Sequence, residues 1–483
     1  MSQPSAIVPG LHVPIPARPE QLDVPLELVA DLVLRRVLLE ETSSLRRLSQ
    51  SLGVSVLVIE RVFEELRGKQ YLDVHAMSGN DYSFSLTAAG RQIAVDRYSR
   101  CRYAGVVPVS LALYKQVVAA QRPRTKITRD TMRLAFADLV VNDDLMDSLG
   151  PAMISQTSIF LYGPSGNGKT SLGERLVRVY DDSVLIPWAV EVDGSIISVY
   201  DTSIHLALTP QPPGLDPRWV ACRRPMVIVG GELEFKMLQL RYDAISGVYA
   251  APLQMKANNG ILMVDDFGRQ AISPADLLNR WIIPLDRRID FLSLNHGVQF
   301  STPFDLLVVF STNLDPQELG DDAFFRRIQN KVYVGPIADD EFDWIVARMV
   351  ELEGVRAETG VAAHLNKLCR ELGNGELRAC YPRDMVRLLR SVCDYEGTPV
   401  VLSRENLERA AKLYFDVNVE AASACKAGAR FDPLAKGIAP RVGVLDGAQQ
   451  FNAPRFVGAS APASLNRHDP LADTRPGLKD PMR

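Results

Sequence analysis

The chain has few of the residues that build metal centres or disulfide frameworks. Its 483 residues include six cysteines and six histidines. The histidines are dispersed, and the cysteines form no Cys-x-x-Cys pair, standing at positions 101, 222, 369, 380, 393 and 425. Zinc sites and disulfide-stapled folds need closer or paired spacing. The scatter argues against both classes and predicts reduced thiols, as in the cytosol.

Long apolar runs and an excess of charge of one sign are also absent. No run approaches the ~18 apolar residues that cross a bilayer, and the amino terminus lacks the basic-then-apolar pattern of a secretory leader. The formal net charge is -4, so no overall attraction to nucleic acid or acidic membranes is expected. We therefore expect a cytoplasmic protein of two or three domains with no membrane span.

A phosphate-loop motif stands in the middle of the chain. Residues 163–170 match G-x-x-x-x-G-K-[ST]. The apolar stretch 158–162 predicts a strand that enters the loop, and 171–180 predicts a helix that leaves it. Such a loop points backbone N–H groups at phosphate oxygens, while its lysine reaches the β- and γ-phosphates and its hydroxyl binds Mg²⁺. The predicted nucleotide-binding residues are Gly163, Pro164, Ser165, Gly166, Asn167, Gly168, Lys169, Thr170 and Ser171.

Two further apolar stretches end in polar residues. The stretch 261–264 is followed by Asp265 and Asp266, and 306–310 is followed by Ser311, Thr312 and Asn313. In a parallel sheet the carboxyl ends of buried strands meet at one edge. We expect Asp265 and Thr170 to hold Mg²⁺. Asp266 is predicted to polarise the attacking water, and Asn313 to bond the γ-phosphate or that water.

The first hundred residues predict an arm and a small helical domain. Five prolines in residues 1–20 predict an extended arm. Within 21–100, helices are predicted at 26–39, 45–52 and 55–69, followed by a hairpin at 71–86 and a helix from 88. Ser43 or Ser44 would cap the second helix, Gly53 would close it, and Thr87 would cap the last. Three helices followed by a two-stranded wing resemble a winged-helix domain.

Charge favours protein docking over DNA binding for this domain. Residues 21–100 contain eleven acidic and ten basic side chains, which is far from a basic stripe. Residues 101–125 predict a connecting helix and a basic, solvated linker. One or two helices are predicted at 128–149, ending at Gly150-Pro151. Within residues 181–256, the stretch 188–208 has strand-like patterning with a turn at Asp193-Gly194, and no chemical role is assigned to the segment.

Taken in order, these motifs resemble an AAA+ ATPase across about residues 125–420. The resemblance implies an α/β P-loop NTPase module at 126–336, with a parallel sheet flanked by helices, and a small helical lid at 337–425. Helices at 361–372, 383–395 and 405–417 fit such a lid. The resemblance implies that residues 163–170 form the Walker A motif, that Asp265 and Asp266 belong to the Walker B motif, and that Asn313 is the sensor-1 residue. It also implies a trans-acting arginine finger at Arg326 or Arg327 and a sensor-2 arginine at Arg383. A trans-acting arginine implies a ring, which we expect to be hexameric.

A finer resemblance concerns residues 286–300, which alternate about a glycine-containing turn before the sensor-1 strand. They look like the hairpin of MoxR-like AAA+ proteins, which are mostly chaperone-like ATPases that remodel partner proteins. The implied function is ATP-driven remodelling of a protein client. Asp266 stands where the family usually has glutamate, which leaves a low-turnover nucleotide-binding scaffold as an alternative. A second alternative is an ATP-dependent regulator that binds DNA. Residues 426–483 are expected to be largely disordered.

Overall fold

The computed structural model describes residues 13–78, 81–124, 126–315 and 328–415. Residues 13–18 of the predicted arm have no helix or strand, and a 3-10 turn follows at Pro19–Gln21. The side chain of Val13 is nevertheless buried among the strands of residues 183–251. The arm is therefore packed on the protein along this part of its length. The predicted tail at 426–483 lies outside the described residues.

The amino-terminal domain contains four helices and a three-stranded sheet. Its elements are α1 (Leu26–Glu40), β1 (Thr42–Ser44), α2 (Leu45–Leu52), α3 (Val56–Gly68), β2 (Leu72–Ser78), β3 (Asp81–Leu86) and α4 (Ala88–Arg100). Helices α2, α3 and α4 begin at side-chain caps, which are Ser44, Ser55 and Thr87. Gly53 ends α2 with a φ of 68°. The predicted helices and hairpin are present, while membership of the winged-helix family stays a prediction.

Residues 109–333 form two larger sheets and the helices around them. In chain order the elements are β4 (Val109–Ser110), α5 (Leu111–Ala120), α6 (Arg129–Ala135), α7 (Asp143–Ser155), β5 (Ile159–Tyr162), α8 (Lys169–Leu176), β6 (Ser183–Pro187), β7 (Ala189–Val192), β8 (Ser195–Ser198), β9 (Trp219–Arg223), β10 (Met226–Val229), β11 (Arg241–Asp243), β12 (Val248–Ala250), α9 (Leu253–Lys256), β13 (Ile261–Val264), α10 (Pro274–Arg287), β14 (Ile289–Ser293), β15 (Gln299–Pro303), β16 (Leu307–Thr312) and β17 (Asn330–Tyr333).

The central sheet is parallel and has the strand order β10-β13-β16-β5-β17. Strands β13 and β16 are buried at every position. One apolar cluster, which includes Phe267 and Trp281, and a second, which includes Met153 and Leu172, both contain residues of these strands. Burial on both faces explains why the strand sequences are continuously apolar. Strand β16 lies between β5 and β13, so the carboxyl ends of these three strands are neighbours.

A second sheet has the order β11-β12-β8-β7-β4 and is accompanied by the antiparallel pair β6 and β9; we call this region the insert domain. Its core includes Val190, Trp219 and Tyr249. Strand β4 and helix α5 come from the segment predicted as a connector, and Tyr114 of α5 is buried in the same core. The predicted turn at Asp193-Gly194 is present, with both residues at positive φ.

The predicted hairpin before β16 is also present. Strands β14 and β15 are antiparallel, with Ile289 opposite Pro303 and Ser293 opposite Gln299. The expectation that strand alternation begins at residue 286 is wrong, because α10 continues through Arg287. Arg288 then ends the helix in the left-handed region, with a φ of 57°.

The lid consists of α11 (Asp339–Glu353), β18 (Arg356–Ala357), α12 (Val361–Leu372), α13 (Tyr381–Glu396), β19 (Val401–Leu402) and α14 (Arg404–Tyr414). Its apolar cluster includes Phe342, Leu365, Met385 and Leu407, one from each helix. The three helices predicted at 361–372, 383–395 and 405–417 are present within the described residues, with slightly different ends. No helix in the described ranges is long and apolar enough to cross a membrane.

Candidate nucleotide-binding site

The loop between β5 and α8 turns tightly because three of its residues are glycines at positive φ. The φ values are 136° at Gly163, 84° at Gly166 and 84° at Gly168. A Cβ on Gly163 would lie 2.4 Å from the carbonyl oxygen of Val334, and one on Gly166 would lie 2.7 Å from Cys380 Sγ. Conformation and space therefore both select glycine at these two positions. The first residues of α8 line the pocket beneath the loop.

Lys169 is buried and bonded to the loop and to a neighbouring strand. Its Nζ donates to the carbonyl oxygens of Gly163 (2.8 Å) and Pro164 (2.9 Å) and to Asn313 Oδ1 (2.7 Å). These contacts hold the ammonium group at the place where the loop bends. An anionic ligand that entered the pocket would meet a cation that is already fixed in position.

Burial lowers the pKa of Lys169, because removal from water disfavours the charged ammonium. The carboxylates of Asp265 and Asp266 act in the opposite direction and raise this pKa. A phosphate group bound beside Lys169 would add a further negative charge and favour the protonated form. The site is thus electrostatically suited to a polyanion.

Thr170 and Asp265 bring two side-chain oxygens together in the pocket. The Thr170 hydroxyl donates to Asp265 Oδ2 at 2.8 Å. The described residues contain no cluster of three or more histidine, cysteine or acidic side chains that could hold a metal. Mg²⁺ commonly takes one or two protein oxygens and completes its shell with water and substrate phosphate. The Thr170 hydroxyl and the Asp265 carboxylate suit Mg²⁺ bound in this way. A metal held by protein side chains alone would need a larger cluster, which the described ranges do not contain.

Asp266 and Asn313 come together at the ends of β13 and β16. Asn313 Nδ2 lies 3.4 Å from Asp266 Oδ1, while Asn313 Oδ1 accepts from Lys169. Asp266 is exposed and has a φ of 49°. The amide of Asn313 therefore connects the cation of the loop with the acid of the neighbouring strand.

The lid closes one side of the same pocket. The backbone N–H of Cys380 donates to the carbonyl oxygen of Gly166 at 2.9 Å, which joins the start of α13 to the phosphate loop. Arg383, half exposed and paired with Asp384 at 3.6 Å, lines the pocket together with Arg348 of α11. Burial raises the pKa of Cys380, so its thiol stays protonated near neutral pH.

The cavity has a volume of about 870 Å³. Its apolar wall comes from the segment before α7 and from the lid helix α11, and includes Val140, Val141, Ile345 and Met349. These residues could not be predicted from the sequence, because apolar side chains that line a pocket follow the same pattern as apolar side chains of a core. Sequence alone also gave no signal for Arg348 or Cys380, although Cys380 lies three residues before the predicted sensor-2 residue Arg383.

The structure brings together the side chains of Lys169, Thr170, Asp265, Asp266 and Asn313, and Arg383 lines the same pocket. The loop residues Ser165, Gly166, Asn167, Gly168 and Ser171 also line it, and Gly163 and Pro164 contribute the carbonyl groups that hold Lys169. Arg326 and Arg327 lie outside the described residues.

Comparison with solved structures finds RuvB of Thermotoga maritima, titled a Holliday junction branch migration motor. The match has 14% sequence identity and a TM-score of 0.32, and it covers 61% of this chain and 72% of that one. Two variants of RuvB match at 13% identity and a TM-score of 0.33, each covering 61% of this chain and 72% or 73% of theirs.

A family model described as a domain of unknown function (DUF8689) matches residues 338–413, which coincide with the lid. No curated protein matches the chain. The fold assignment therefore rests on the described core itself. A parallel sheet carries the phosphate loop after β5, and β16 lies between that strand and the acid-bearing β13. The core has an α/β fold in which a parallel sheet, flanked by helices, carries the phosphate loop and is joined to a small helical lid.

Proposed function

We propose that the chain binds ATP with Mg²⁺ and hydrolyses it. The observation that carries this proposal is the meeting of five polar side chains in one pocket, at the carboxyl ends of three adjacent parallel strands. They are Lys169, Thr170, Asp265, Asp266 and Asn313. A cation, an oxygen pair, an acid and an amide are the groups that phosphoryl transfer to water requires.

Each group has a distinct task in the proposed reaction. Lys169 exchanges its carbonyl partners for phosphate oxygens and stabilises their charge. When bound by Thr170 and Asp265, Mg²⁺ supplies positive charge to the transferring phosphate. Asp266 and Asn313 orient a water against the γ-phosphorus. As the water attacks, the bond to the bridging oxygen breaks, ADP and phosphate form, and the released proton passes through Asp266 to solvent.

The finer proposal is an oligomeric, MoxR-like ATPase that remodels a protein client. The insert domain and the amino-terminal domain supply surface beyond the ATPase module for such a client. In this proposal Arg383 contacts the γ-phosphate of its own subunit, and Arg326 or Arg327 reaches the nucleotide of a neighbour in a hexameric ring. The hairpin of β14 and β15 before β16 supports the MoxR-like subtype.

Two alternatives to the remodelling function remain, and one observation supports the first while another weakens the second. A low-turnover scaffold is favoured by Asp266, whose carboxylate is one methylene shorter than that of glutamate. DNA binding by α3 is disfavoured because Arg61 pairs with Glu64 at 3.7 Å and Lys69 pairs with Glu65 at 2.5 Å. Absence of duplex binding at low salt would dismiss the DNA-binding hypothesis, since phosphate contacts are strongest at low salt.

The test is steady-state ATP hydrolysis by the purified full chain at increasing protein concentration. Lys169→Ala should abolish turnover because the transferring phosphate loses its buried cation. Lys236→Ala removes an exposed lysine of the segment between β10 and β11 and serves as the matched control. Turnover per subunit that rises with concentration supports an assembling ring. Tight ATP binding without turnover would favour the scaffold, and absence of ATP binding would overturn the proposal.

A further inference from the structure

The backbone at Asp266 has an unusual conformation for a residue with a side chain. Its φ of 49° lies in the left-handed region, where residues other than glycine are uncommon. Asparagine and aspartate enter this region more readily than most residues but still pay a steric cost. Such a conformation persists when neighbouring contacts hold it, and it occurs preferentially at functional sites. The contacts around this turn therefore help to determine where the Asp266 carboxylate points.

Gln270 holds the turn from one side. Its Nε2 donates to the carbonyl oxygens of Asp265 at 2.8 Å and Asp266 at 3.1 Å, and its Oε1 accepts from the backbone N–H of Gly268 at 2.8 Å. One side-chain amide thus bonds three main-chain groups within four residues. An amide is required, since glutamate cannot donate and alanine can neither donate nor accept.

Strand β16 holds the same turn from the other side. The backbone N–H of Phe267 donates to the Ser311 carbonyl at 2.7 Å, and Thr312 Oγ1 donates to the Phe267 carbonyl at 2.7 Å. Asn313, the next residue along, contacts the Asp266 carboxylate. The turn is therefore fixed between the Gln270 amide and the strand that carries Asn313.

We propose that Gln270 is a positioning residue that aims the Asp266 carboxylate at the hydrolytic water. The inference rests on the proposed ATP hydrolysis and adds a residue that the phosphate-loop and strand-end motifs do not include. Gln270 does not line the nucleotide pocket, so it acts through the turn. Its effect should fall on the chemical step.

Nucleotide binding depends on contacts that Gln270 does not make. The Asp265 carboxylate is held by Thr170, and its backbone N–H donates to the Val229 carbonyl at 2.8 Å. Lys169 is held by the loop and by Asn313. Removal of the Gln270 amide should therefore leave the phosphate and Mg²⁺ ligands in place. A split between kcat and nucleotide affinity is the expected signature.

The experiment compares Gln270→Ala and Gln270→Glu with the unsubstituted full chain. We expect kcat to fall by about 10- to 100-fold in Gln270→Ala, which is part of the roughly 10²- to 10⁴-fold that a positioned general base contributes. The dissociation constant for ATP should stay within about twofold, since the binding contacts remain. Gln270→Glu should lose at least as much kcat, because its carboxylate would face two carbonyl oxygens. Gln299→Ala, which removes an exposed glutamine on β15, is the control.

A double-mutant cycle with Asp266→Asn separates positioning from a general structural role. If Gln270 acts through Asp266, Gln270→Ala should cause little further loss of kcat once Asp266→Asn is present. The inference would be overturned if the kcat losses of the two single substitutions multiplied in the double variant, or if ATP affinity fell together with kcat. So would a Gln270→Ala variant with unchanged kcat.

The outcomes also distinguish this inference from the proposed function. If the unsubstituted chain binds no ATP or does not hydrolyse it, ATP hydrolysis itself is refuted, and the positioning role falls with it. If the unsubstituted chain turns over ATP and only the Gln270 results disagree, hydrolysis stands and the positioning role is refuted.

Discussion

At the scale of single residues, Gly166 combines a backbone requirement with a spatial one. Its φ of 84° disfavours any side chain, and a Cβ would lie 2.7 Å from Cys380 Sγ. Gly166→Ala should therefore weaken ATP binding by about tenfold or more, because the loop must shift away from the lid. Equilibrium binding of a fluorescent ATP analogue measures the effect.

The matched control for this substitution is Gly68→Ala. Gly68 lies in α3 without a positive φ, and its Cβ would meet no atom within 4 Å. Alanine there should leave ATP affinity unchanged and raise stability by up to about 1 kcal/mol through helix propensity. Equal effects of the two substitutions on affinity would contradict the spatial argument.

The residues of the candidate site divide by whether their signal is local in the sequence. The phosphate loop and the acids after β13 could be predicted because short motifs specify them, and the structure gathers them in one pocket. The contact of Cys380 with Gly166 joins residues far apart in the chain, so no local pattern reveals it. Gln270 was missed because a glutamine after a strand looks like an ordinary turn residue until its partners are known.

At the scale of elements, α5 is more than the predicted connector. Tyr114 is buried, its hydroxyl donates to the Met255 carbonyl at 3.2 Å, and it accepts from Asn258 Nδ2 at 2.8 Å. These bonds tie α5 to the segment that leads into β13. Helix α5 therefore packs in the core of the insert domain and is bonded to the segment that enters β13 of the central sheet.

Tyr114→Phe should lower the free energy of unfolding by about 1 to 2 kcal/mol, because the buried Met255 carbonyl loses its side-chain donor. Asn258 keeps a bond to the Pro303 carbonyl at 3.0 Å, which limits the cost. Denaturant unfolding followed by circular dichroism measures the change. Tyr242→Phe, at a more exposed tyrosine of β11, should change stability by less than about 0.5 kcal/mol. Similar losses in both variants would argue against the buried bonds.

Helix boundaries show where tertiary packing overrides local signals. The expectation that the helix before β5 ends at Gly150-Pro151 is wrong, since α7 continues to Ser155 with Pro151 inside it. Leu149, Ala152 and Met153 on this turn are buried against the sheet. Their burial outweighs the local cost of the proline, which sequence propensity alone cannot weigh.

At the scale of the whole molecule, a buried ion cluster joins the amino-terminal segment to the insert domain. Arg218 is 1% exposed and pairs with Asp216, which is fully buried, at 2.9 Å, and also with Asp23. Two backbone bonds reinforce the junction, from Val107 to Leu52 at 2.8 Å and from Arg102 to Ser246 at 2.7 Å. The two domains are therefore in direct contact.

Arg218→Met should lower the free energy of unfolding by about 3 to 5 kcal/mol, because it leaves the fully buried Asp216 carboxylate without its cation. Arg129→Met breaks an exposed pair with Asp147 and should cost less than about 1 kcal/mol. Thermal melting of both variants gives the comparison. A small loss in Arg218→Met would mean that water or rearrangement compensates the two acids.

The domain plan could be predicted only in part. The phosphate-loop core and the lid helices follow the order of motifs and helices in the sequence, while the division of the chain into an ATPase module and a lid stays a prediction. The insert sheet was not predicted, because it combines β4, before the module, with strands from residues 189–250. Local sequence periodicity can predict a strand, but it cannot show that two strands so distant in the chain pair with each other.

The strand order has a consequence for how this sequence can vary. Val264 pairs with Phe310, and Phe310 pairs with Phe160, so the register of β16 sets where Asn313 stands between Lys169 and Asp266. A single inserted or deleted residue within Leu307–Thr312 would turn every following side chain to the opposite face of the sheet. Length changes should therefore be far less tolerable in this strand than in the turn at residues 212–214, which is largely exposed and contributes no residue to the nucleotide pocket.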